Sequence, residues 1–274
     1  LVCVNKAAPE TDNNDLTDDG GAGVRVEFSI RASSAVACGL REHAEWQRWA
    51  ASPSPSVPAG ELALDLSHVP AMARRRLGRL AKMAVLVADD VLQQKQLTDL
   101  PVVWASRYGD AEKSLALLHS QVAGEPLSPT AFGLSVHNGV GAQHSILRGM
   151  VANAICVASS GSVPEAGVVE AMGLLGDGAS DVMLVCYDEP LPGEYAGFTE
   201  SPAAEFAWAA LLTQKTNGLP SFALSASGDD VQSSESAALP HSLQVLRFLL
   251  DADQSRLTQQ RSEGGVWIWE RLHA

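Results

Sequence analysis

The sequence predicts an α/β layered fold, in which short apolar strands alternate with helices. Apolar runs of strand length, such as residues 101–106 (PVVWAS), are separated by stretches with helical periodicity. This order favours helices packed against a sheet. The chain has 274 residues, of which 46% are hydrophobic and 19% are charged, so it is long enough for one large domain with a sizeable core.

The first half of the chain opens with an acidic, glycine-containing segment at residues 1–23, which we expect to be a flexible tail. One domain is predicted over residues 24–274. Its first strand is expected at residues 24–30, where the letters VRVEFSI alternate between apolar and polar. The next expected elements are a helix over 42–50, a long helix over 72–94, a strand over 101–106 and a helix over 111–122.

The most regular region is the segment of residues 128–189. Its pattern predicts helices over 137–149 and 163–175 and strands over 153–157 and 181–187. Ser162 and Glu165 have the spacing of a capping box at the start of the second helix, where Pro164 is also tolerated. Because apolar or small residues surround this helix, we expect it to be buried on all sides. Its N-terminus would present free amide groups and a positive dipole end, which stabilise anions and thiolates.

The remaining third of the chain is less regular. Residues 204–212 form an apolar segment, and strands are expected at residues 221–226 and 265–272. Between these strands, residues 228–239 are a loop rich in serine and aspartate, and residues 241–250 are expected to be helical. No short internal repeat is visible, so the interleaved strands and helices describe one layered domain.

Charge and composition exclude several functions. A net charge of −13 argues against nucleic-acid binding. No apolar run approaches the roughly 20 residues that span a membrane. The four cysteines form no CxxC pair and are too few for a disulfide scaffold, and no secretory signal opens the sequence. We therefore expect a cytoplasmic protein, with no cofactor and no metal site.

Several strings at consistent spacing resemble the β-ketoacyl synthases, which are condensing enzymes of the thiolase fold. These strings are residues 74–80 (RRRLGRL), 102–107 (VVWASR), 127–132 (LSPTAF) and 178–183 (GASDVM). The resemblance covers most of residues 24–272. It is most specific for the branch called chain length factors, found beside aryl polyene and related pigment pathways. It implies a thiolase-like layered fold that is mainly one thiolase half, the N-terminal half of a synthase, with a shortened C-terminal part.

The same resemblance places the synthase nucleophile, a cysteine in the turn between a strand and a buried helix, at Gly161. It therefore implies a degenerate nucleophile turn of Ser160, Gly161 and Ser162, with no catalytic residue. The two catalytic histidines of active synthases lie in glycine-flanked motifs of the second half, and neither His241 nor His273 lies in such a motif. A simpler explanation for Gly161 is a turn that needs a positive φ.

The resemblance implies a non-catalytic subunit that pairs with an active β-ketoacyl-ACP synthase as a heterodimer. The pair would carry out chain elongation of the fatty acid or polyketide type, and this subunit would help to shape the acyl tunnel. Residues assigned on this basis form the partner interface (Asn153, Ile155 and Val157), the acyl tunnel (Phe132, Leu134 and Met150) and a docking surface for acyl carrier protein (Arg74, Arg75, Arg76 and Arg79). A basic patch would steer an acidic carrier protein, whereas the simpler explanations are ordinary core for the tunnel residues and a solvated helix start for the arginines.

Two other functions remain open at this point. The chain is alternatively a stand-alone malonyl decarboxylase or acyltransferase that uses an oxyanion hole at the Gly161 turn. It is also compatible with a homodimeric module that binds acyl groups or a carrier protein. Purification with and without a co-expressed synthase separates all three.

Other reactive residues have structural explanations. Cys156 and Cys186 lie in apolar strands, where free cysteines usually act as small hydrophobic residues. His137 and His144 are seven residues apart on one helix, whereas a metal-binding pair is more often four apart. The serines around Gly161 lack the G-x-S-x-G pattern of a hydrolase.

Two further pairs of residues also have structural explanations. Asp89 and Asp90 are expected on a solvated helix face rather than as paired acids. Gly139 and Gly141 are not followed by the Lys-Ser/Thr of a phosphate loop, so close helix packing explains them better.

Overall fold

The computed structural model describes residues 25–199, 201–228, 238–262 and 264–272, and the tail expected at residues 1–23 lies outside these ranges. The strands are β1 (Arg25–Ala37), β2 (Val102–Ala105), β3 (Ala154–Val157), β4 (Val182–Asp188), β5 (Phe206–Gln214), β6 (Ser221–Ser227), β7 (Arg256–Gln260) and β8 (Val266–Leu272). The helices are α1 (His43–Ala50), α2 (Ala71–Arg76), α3 (Arg79–Lys95), α4 (Ala111–Val122), α5 (Pro129–Ser135), α6 (Gly139–Arg148), α7 (Val163–Gly176) and α8 (His241–Leu250), together with a short 3-10 helix at Gly193–Phe198.

All of these strands belong to one sheet, in the order β3-β2-β4-β5-β1-β6-β8-β7. β2 pairs in parallel with β3 and β4, and the other described pairings are antiparallel. Because β6 pairs with β1, the short C-terminal part extends the sheet of the N-terminal part. The two edges of the sheet are β3 and β7.

Alternation of side chains along the strands produces a hydrophobic core on each face of the sheet. In β2, Val103 and Ala105 belong to one core, whereas Val102 and Trp104 belong to the other. Helices α1, α7 and α8 cover the first face, and α3 covers the second with a nearly continuous run of buried residues. The sheet therefore lies between two helical layers.

The order expected for the central segment is confirmed, because α6, β3, α7 and β4 follow one another within two residues of the expected bounds. The expectation that the second helix is buried on all sides is wrong. Only one side of α7 packs on β2 and β4, and Val169 on its other side is exposed. The apolar outer side of α7 is left uncovered by the described residues.

The long helix expected over residues 72–94 is divided into α2 and α3. Leu77 has an extended conformation (φ −74°, ψ 122°) and Gly78 follows with ψ 175°, so the helical hydrogen bonds stop there. The Leu77 side chain is buried in the core under α3, and this packing favours the break over a continuous helix. The basic run is consequently shared between two helices.

The other differences concern elements with weak sequence signals. β1 extends to Ala37, well beyond the strand expected at residues 24–30, and the apolar segment at residues 204–212 lies mostly in β5. Neither α5 nor β7 was predicted. The sequence of β7, RLTQQ, lacks apolar alternation because an edge strand buries few of its side chains. Across the described part of the chain, no helix is long and apolar enough to cross a membrane.

Candidate functional site

The candidate site is the turn between β3 and α7, whose apex is Gly161. Apart from this residue and its two neighbours in the chain, no heavy atom of the described residues lies within 4 Å of the place that a Cβ would occupy. Gly161 is not among the described glycines with positive φ, so the simpler explanation of a turn that needs glycine is wrong. On one side of the apex, Ser160 Oγ lies 2.6 Å from Ser262 Oγ, in the connection between β7 and β8. This contact holds the turn in place. Its apex, Gly161, has no side chain, and its backbone conformation does not require glycine.

Glu165, expected to cap its own helix, instead binds two groups from the C-terminal part. His241 Nε2 lies 2.8 and 2.9 Å from the two carboxylate oxygens, and Trp269 Nε1 donates a hydrogen bond of 2.7 Å to Oε1. The Ser162 side chain makes no capping hydrogen bond, and its buried Oγ has no partner in the described residues. The predicted capping box is therefore wrong. A fully buried carboxylate needs strong donors, and these two side chains supply them.

A pocket of about 190 Å³ opens beside the apex of the turn. Most of its wall is apolar, with residues that include Val163, Leu191, Ala204, Phe206 and Pro240. Its charged or titratable groups are Arg107, Tyr108, Asp188, Glu189 and His241. The structure thus brings His241 to the same pocket as Gly161, although no motif placed a histidine there.

Asp188, at the end of β4, is a carboxyl group on the wall of this pocket. Burial raises its pKa to about 7, although Ser106 Oγ (2.9 Å) and the amide of Arg107 (3.0 Å) donate hydrogen bonds to it. At neutral pH the group is accordingly divided between its neutral and ionised forms. It can donate or accept a hydrogen bond in the pocket.

The neighbouring Glu189 is perturbed in the same direction. Burial, followed by the negative charges of Asp110, Glu112 and Glu205, raises its pKa to about 7. No hydrogen bond to its carboxyl group is found within the described residues. Two adjacent carboxyl groups with raised pKa values in one apolar pocket are typical of a binding or active site.

The second feature of the site is the unpaired edge of the sheet at β3. β2 lies on one side of this strand, and no strand of the described chain lies on the other. Asn153 precedes the strand and is exposed, whereas Ile155 and Val157 are half-buried. Two apolar residues near the edge are strongly exposed, Ile146 at 82% and Val151 at 89%. An unpaired edge flanked by exposed apolar side chains is typical of a protein interface.

The layout of strand, turn and helix, with this pocket at the turn, matches a known family. The family model described as "Beta-ketoacyl synthase, N-terminal domain" matches residues 46–270. The chain belongs to this family.

Solved structures of ketosynthases share the fold of this synthase-family chain. A chain of the complex of the ketosynthase ApeO with its chain length factor ApeC from Xenorhabdus doucetiae is 26% identical, with a TM-score of 0.78, over 90% of this chain and 100% of that one. The ishigamide ketosynthase/chain length factor is 13% identical, with a TM-score of 0.64, over 90% and 99% of the two chains. A β-ketoacyl synthase from Burkholderia phymatum STM815 is 12% identical, with a TM-score of 0.57, over 76% and 66%. The predicted thiolase-like fold is confirmed. No curated protein matched the chain.

The residues assigned to the acyl tunnel lie on or beside α5 and α6 of the synthase-family chain. Phe132 on α5 is 62% exposed, whereas Leu134 and Met150 are half-buried. Met150 packs against the core under α3. None of the three lines the pocket beside Gly161. Their assignment to a tunnel stays a prediction.

The arginines assigned to carrier docking have different surroundings. Arg79 makes a bidentate ion pair with Glu205, and Arg74 donates to the carbonyl oxygen of Leu66 at 3.1 Å. Arg75 and Arg76 are exposed and make no ion pair with the described residues. Two of the four arginines thus remain available to a partner.

The cysteines of the synthase-family chain are poorly suited to act as nucleophiles. Burial raises the pKa of the half-buried Cys156 thiol to about 11. Burial, followed by the charges of Asp188 and Glu165, raises the pKa of Cys186 well above its usual value. Both positions agree with the expectation of small hydrophobic residues.

His137 and His144 bind different groups rather than one common ligand. His137 Nε2 lies 3.0 Å from the carbonyl oxygen of Ser106, and His144 Nε2 lies 3.0 Å from Asp89 Oδ1. No cluster of three or more potential metal ligands is found in the described residues. The two histidines therefore act in polar contacts inside the fold.

Asp89 and Asp90 do not form the solvated helix face expected of them. Asp89 is buried and also contacts His68 and Arg148, whereas Asp90 is half-buried and binds Arg41. The expectation fails because α3 is buried on nearly all sides, so its acidic residues need partners.

The glycines of α6 permit close packing, as expected. A Cβ at Gly141 would lie 2.7 Å from Cδ1 of Trp104, and one at Gly139 would lie 2.9 Å from the carbonyl oxygen of Leu134. Side chains at these positions would push α6 away from β2 and α5. The glycines therefore set the position of the helix that precedes the β3 edge.

Proposed function

We propose that this chain is a non-catalytic chain length factor that pairs with an active β-ketoacyl-ACP synthase as a heterodimer. The observation that carries the proposal is Gly161, a residue without a side chain at the apex of the nucleophile turn, where the backbone does not need glycine. The likeness to the ApeO–ApeC complex supports the assignment to this branch. The partner would perform decarboxylative condensation with its own cysteine, in chain elongation of the fatty acid or polyketide type that yields products such as aryl polyenes. Such a pair would work in the cytoplasm.

The proposed interface is the β3 edge, with Asn153, Ile155 and Val157. It is supported by the absence of a neighbouring strand among the described residues on that side and by the exposure of Ile146 and Val151. Addition of a strand across an open edge would satisfy the free backbone groups of β3. Obligate interfaces bury on the order of 2,000 Å² or more, so the flanking helices α5 and α6 would also contribute.

The acyl tunnel and the carrier surface follow from this arrangement. Phe132, Leu134 and Met150 would line the tunnel once the partner covers them, and the high exposure of Phe132 fits such a shared surface. Carrier docking would rest on Arg75 and Arg76, because Arg74 and Arg79 already bind groups within the chain. An acidic carrier protein gains electrostatic steering from unpaired arginines.

The test is purification with and without a co-expressed synthase, followed by calorimetric titration of the purified partners. Alone, the chain should be poorly soluble or self-associated, because its apolar edge is uncovered. Ile155→Asp should lower the affinity for the synthase at least 100-fold. Leu257→Asp is the matched control, since Leu257 is a half-buried aliphatic residue on β7, the opposite edge strand, and it should leave the affinity unchanged. Both comparisons use only variants whose circular dichroism spectra show folded protein.

The carrier surface has its own test. Arg75→Ala combined with Arg76→Ala should weaken carrier binding by the heterodimer, and Arg79→Ala should leave the pairing of the subunits intact. A monodisperse monomer without affinity for the co-encoded synthase would contradict the proposal. So would condensation catalysed by this chain alone.

A further inference from the structure

His241 has the surroundings of a general base. Its Nε2 is bound by both oxygens of Glu165, and Trp269 donates to the same carboxylate, so the imidazole ring is held in one orientation. Within the described residues, Nδ1 has no hydrogen-bond partner. The side chain is 20% exposed and lines the pocket beside Gly161. A carboxylate that holds one imidazole nitrogen leaves the other free to accept a proton.

The size and charge of the pocket restrict the ligand. Its volume of about 190 Å³ is below the roughly 300–1,000 Å³ of a pocket for a drug-sized ligand, which favours a short acyl group. Most of the wall is apolar, and the carboxyl groups of Asp188 and Glu189 lie on it. Further acidic residues surround Glu189, namely Asp110, Glu112 and Glu205. Arg107 also lines the pocket, but the acidic groups outnumber it, and their negative charge around Glu189 disfavours an acyl group that carries its own carboxylate.

The remaining requirements of acyl transfer to water are also present. In the first turn of α7, Pro164 has no amide hydrogen, but the amides of Val163 and Glu165 have no acceptor within the helix, and Val163 lines the pocket. Amides at a helix N-terminus stabilise an oxyanion. Gly161 leaves open space at the apex, where a water molecule fits.

We propose that this pocket hydrolyses short, uncharged acyl esters and thioesters, with His241 as the general base. Glu165 is the positioning residue for His241. This hydrolysis is separate from the condensation reaction, in which the chain is non-catalytic, and it does not require the synthase partner.

The reaction balances without a cofactor. His241 takes a proton from water while the water oxygen forms a bond to the carbonyl carbon, and the carbonyl π electrons move to its oxygen. The intermediate collapses when the C–S or C–O bond breaks, and the electron pair leaves with the sulfur or oxygen. The imidazolium returns the proton to this leaving group. The products are a carboxylic acid and a thiol or alcohol.

The test measures thiol release from S-butanoyl-N-acetylcysteamine by the purified full chain. Release should be saturable and faster than in buffer, and the succinyl thioester, which adds a carboxylate, should react at least tenfold more slowly. Because a general base contributes about 10²–10⁴-fold to a rate, His241→Ala should lower kcat about 100-fold, and added imidazole should restore part of it. His119→Ala, at an exposed residue outside the pocket, should leave the rate unchanged.

Two further variants separate chemistry from folding. Gly161→Leu would place a side chain in the pocket, and its Cβ would meet open space, so it should abolish turnover in a protein that still melts like wild type. Glu165→Gln should lower kcat with little change in KM, because the base loses its orientation but the pocket remains. If His241→Ala does not fold, Gly161→Leu decides the question.

Equal thiol release by wild type and Gly161→Leu overturns the inference, as does a folded His241→Ala protein with the wild-type rate. A chain that binds its synthase but releases no thiol contradicts this inference alone. A chain that releases thiol but does not bind the synthase contradicts only the proposed chain length factor function.

Discussion

Asp89 and Glu165 are two buried carboxylates on opposite faces of the sheet, and their surroundings differ. Asp89 on α3 binds Arg148, His144 and His68, all from the N-terminal part of the chain. Burial alone would raise the pKa of Asp89, but these donors hold it well below its usual range. Arginine keeps its charge at any physiological pH, so the cluster has a permanent counter-ion.

Glu165 has no arginine or lysine among its hydrogen-bond partners. It binds a histidine and an indole, both from the C-terminal part of the chain. The arrangement around Asp89 therefore stabilises the fold within one part of the sequence. The arrangement around Glu165 connects two distant parts of the sequence and holds a titratable ring at a pocket. The type of counter-ion thus distinguishes a polar cluster that stabilises the fold from one that belongs to a functional site.

The largest effect is expected for Asp89→Asn, which leaves Arg148 and the buried His144 without their carboxylate partner. Loss of one partner of a buried ion pair costs about 3 kcal/mol or more. The free energy of unfolding, measured by urea denaturation, should fall by about 3 kcal/mol. Asp90→Asn is the control, and because Asp90 is only half-buried its effect should not exceed about 1 kcal/mol. Equal effects at the two positions would contradict the special role of Asp89.

A smaller loss is expected for Glu165→Gln. The amide still accepts a hydrogen bond from Trp269, but the carboxylate is gone, and hydrogen bonds to a charged group are worth about 1.5–3 kcal/mol. Urea denaturation should show a loss of about 2 kcal/mol. Glu170→Gln, on the same helix and half-buried, should change stability by less than about 0.5 kcal/mol. A greater loss of unfolding free energy for Glu165→Gln than for Asp89→Asn would contradict the conclusion that the Asp89 cluster is the more stabilising of the two.

The pH dependence of stability should separate the Gly161 pocket from the Asp89 cluster. Asp188 and Glu189 have pKa values raised to about 7, so the folded state binds more protons than the unfolded state between about pH 4 and 7. Their contribution to stability should fall as the pH rises through that window. Asp188→Asn combined with Glu189→Gln should flatten this slope in urea titrations from pH 5 to 8.

The contribution of Asp89 to stability changes with pH in the opposite direction. Its pKa is lowered, so its stabilisation is present above about pH 4, the usual range of an unfolded aspartate, and is lost as the pH falls below it. Asp89→Asn should therefore lower stability at neutral pH without removing the slope that Asp188 and Glu189 contribute. An Asp188→Asn, Glu189→Gln variant that keeps the wild-type slope would contradict the assignment of that slope to the Gly161 pocket.

The smallest effect is expected for cysteine modification. Brief treatment of the folded protein with iodoacetamide should leave Cys156 unmodified, because its pKa of about 11 keeps the thiol protonated. Cys186 is fully buried and should react only after unfolding. Mass spectrometry of peptides from the digested protein measures alkylation at both cysteines. Rapid, selective alkylation of Cys156 would contradict the assignment of a non-catalytic chain.

The sequence predicted the local helices and strands but missed the side-chain contacts between segments that are distant in the chain. The bounds of α7, β4 and α8 followed from periodicity, and Gly161 was placed in its turn by resemblance to a family. The partners of Glu165 could not be predicted from its spacing to Ser162, because His241 and Trp269 are 76 and 104 residues away. The capping pattern was the only visible explanation, and a tertiary contact replaced it.

Asp89 was misassigned for the same reason, since His144 and Arg148 lie 55 and 59 residues from it. One signal was available, because Asp89 follows a run of apolar residues on all sides of α3. An acidic residue in such a helix needs a buried counter-ion. The break between α2 and α3 also had a local signal in Gly78, which the length of the apparent helix obscured.

The position of β1 in the sheet has a consequence for the synthesis of the chain. The neighbours of β1 are β5 and β6, which lie far along the chain, and Phe28 pairs with Gln214, 186 residues later. At 5–20 residues per second, a ribosome needs roughly 10–40 s to make the intervening chain. The central strand therefore waits without these partners until β5 and β6 have been made. Pairings this distant in sequence make folding slow, so the nascent chain depends on protection from aggregation during that interval.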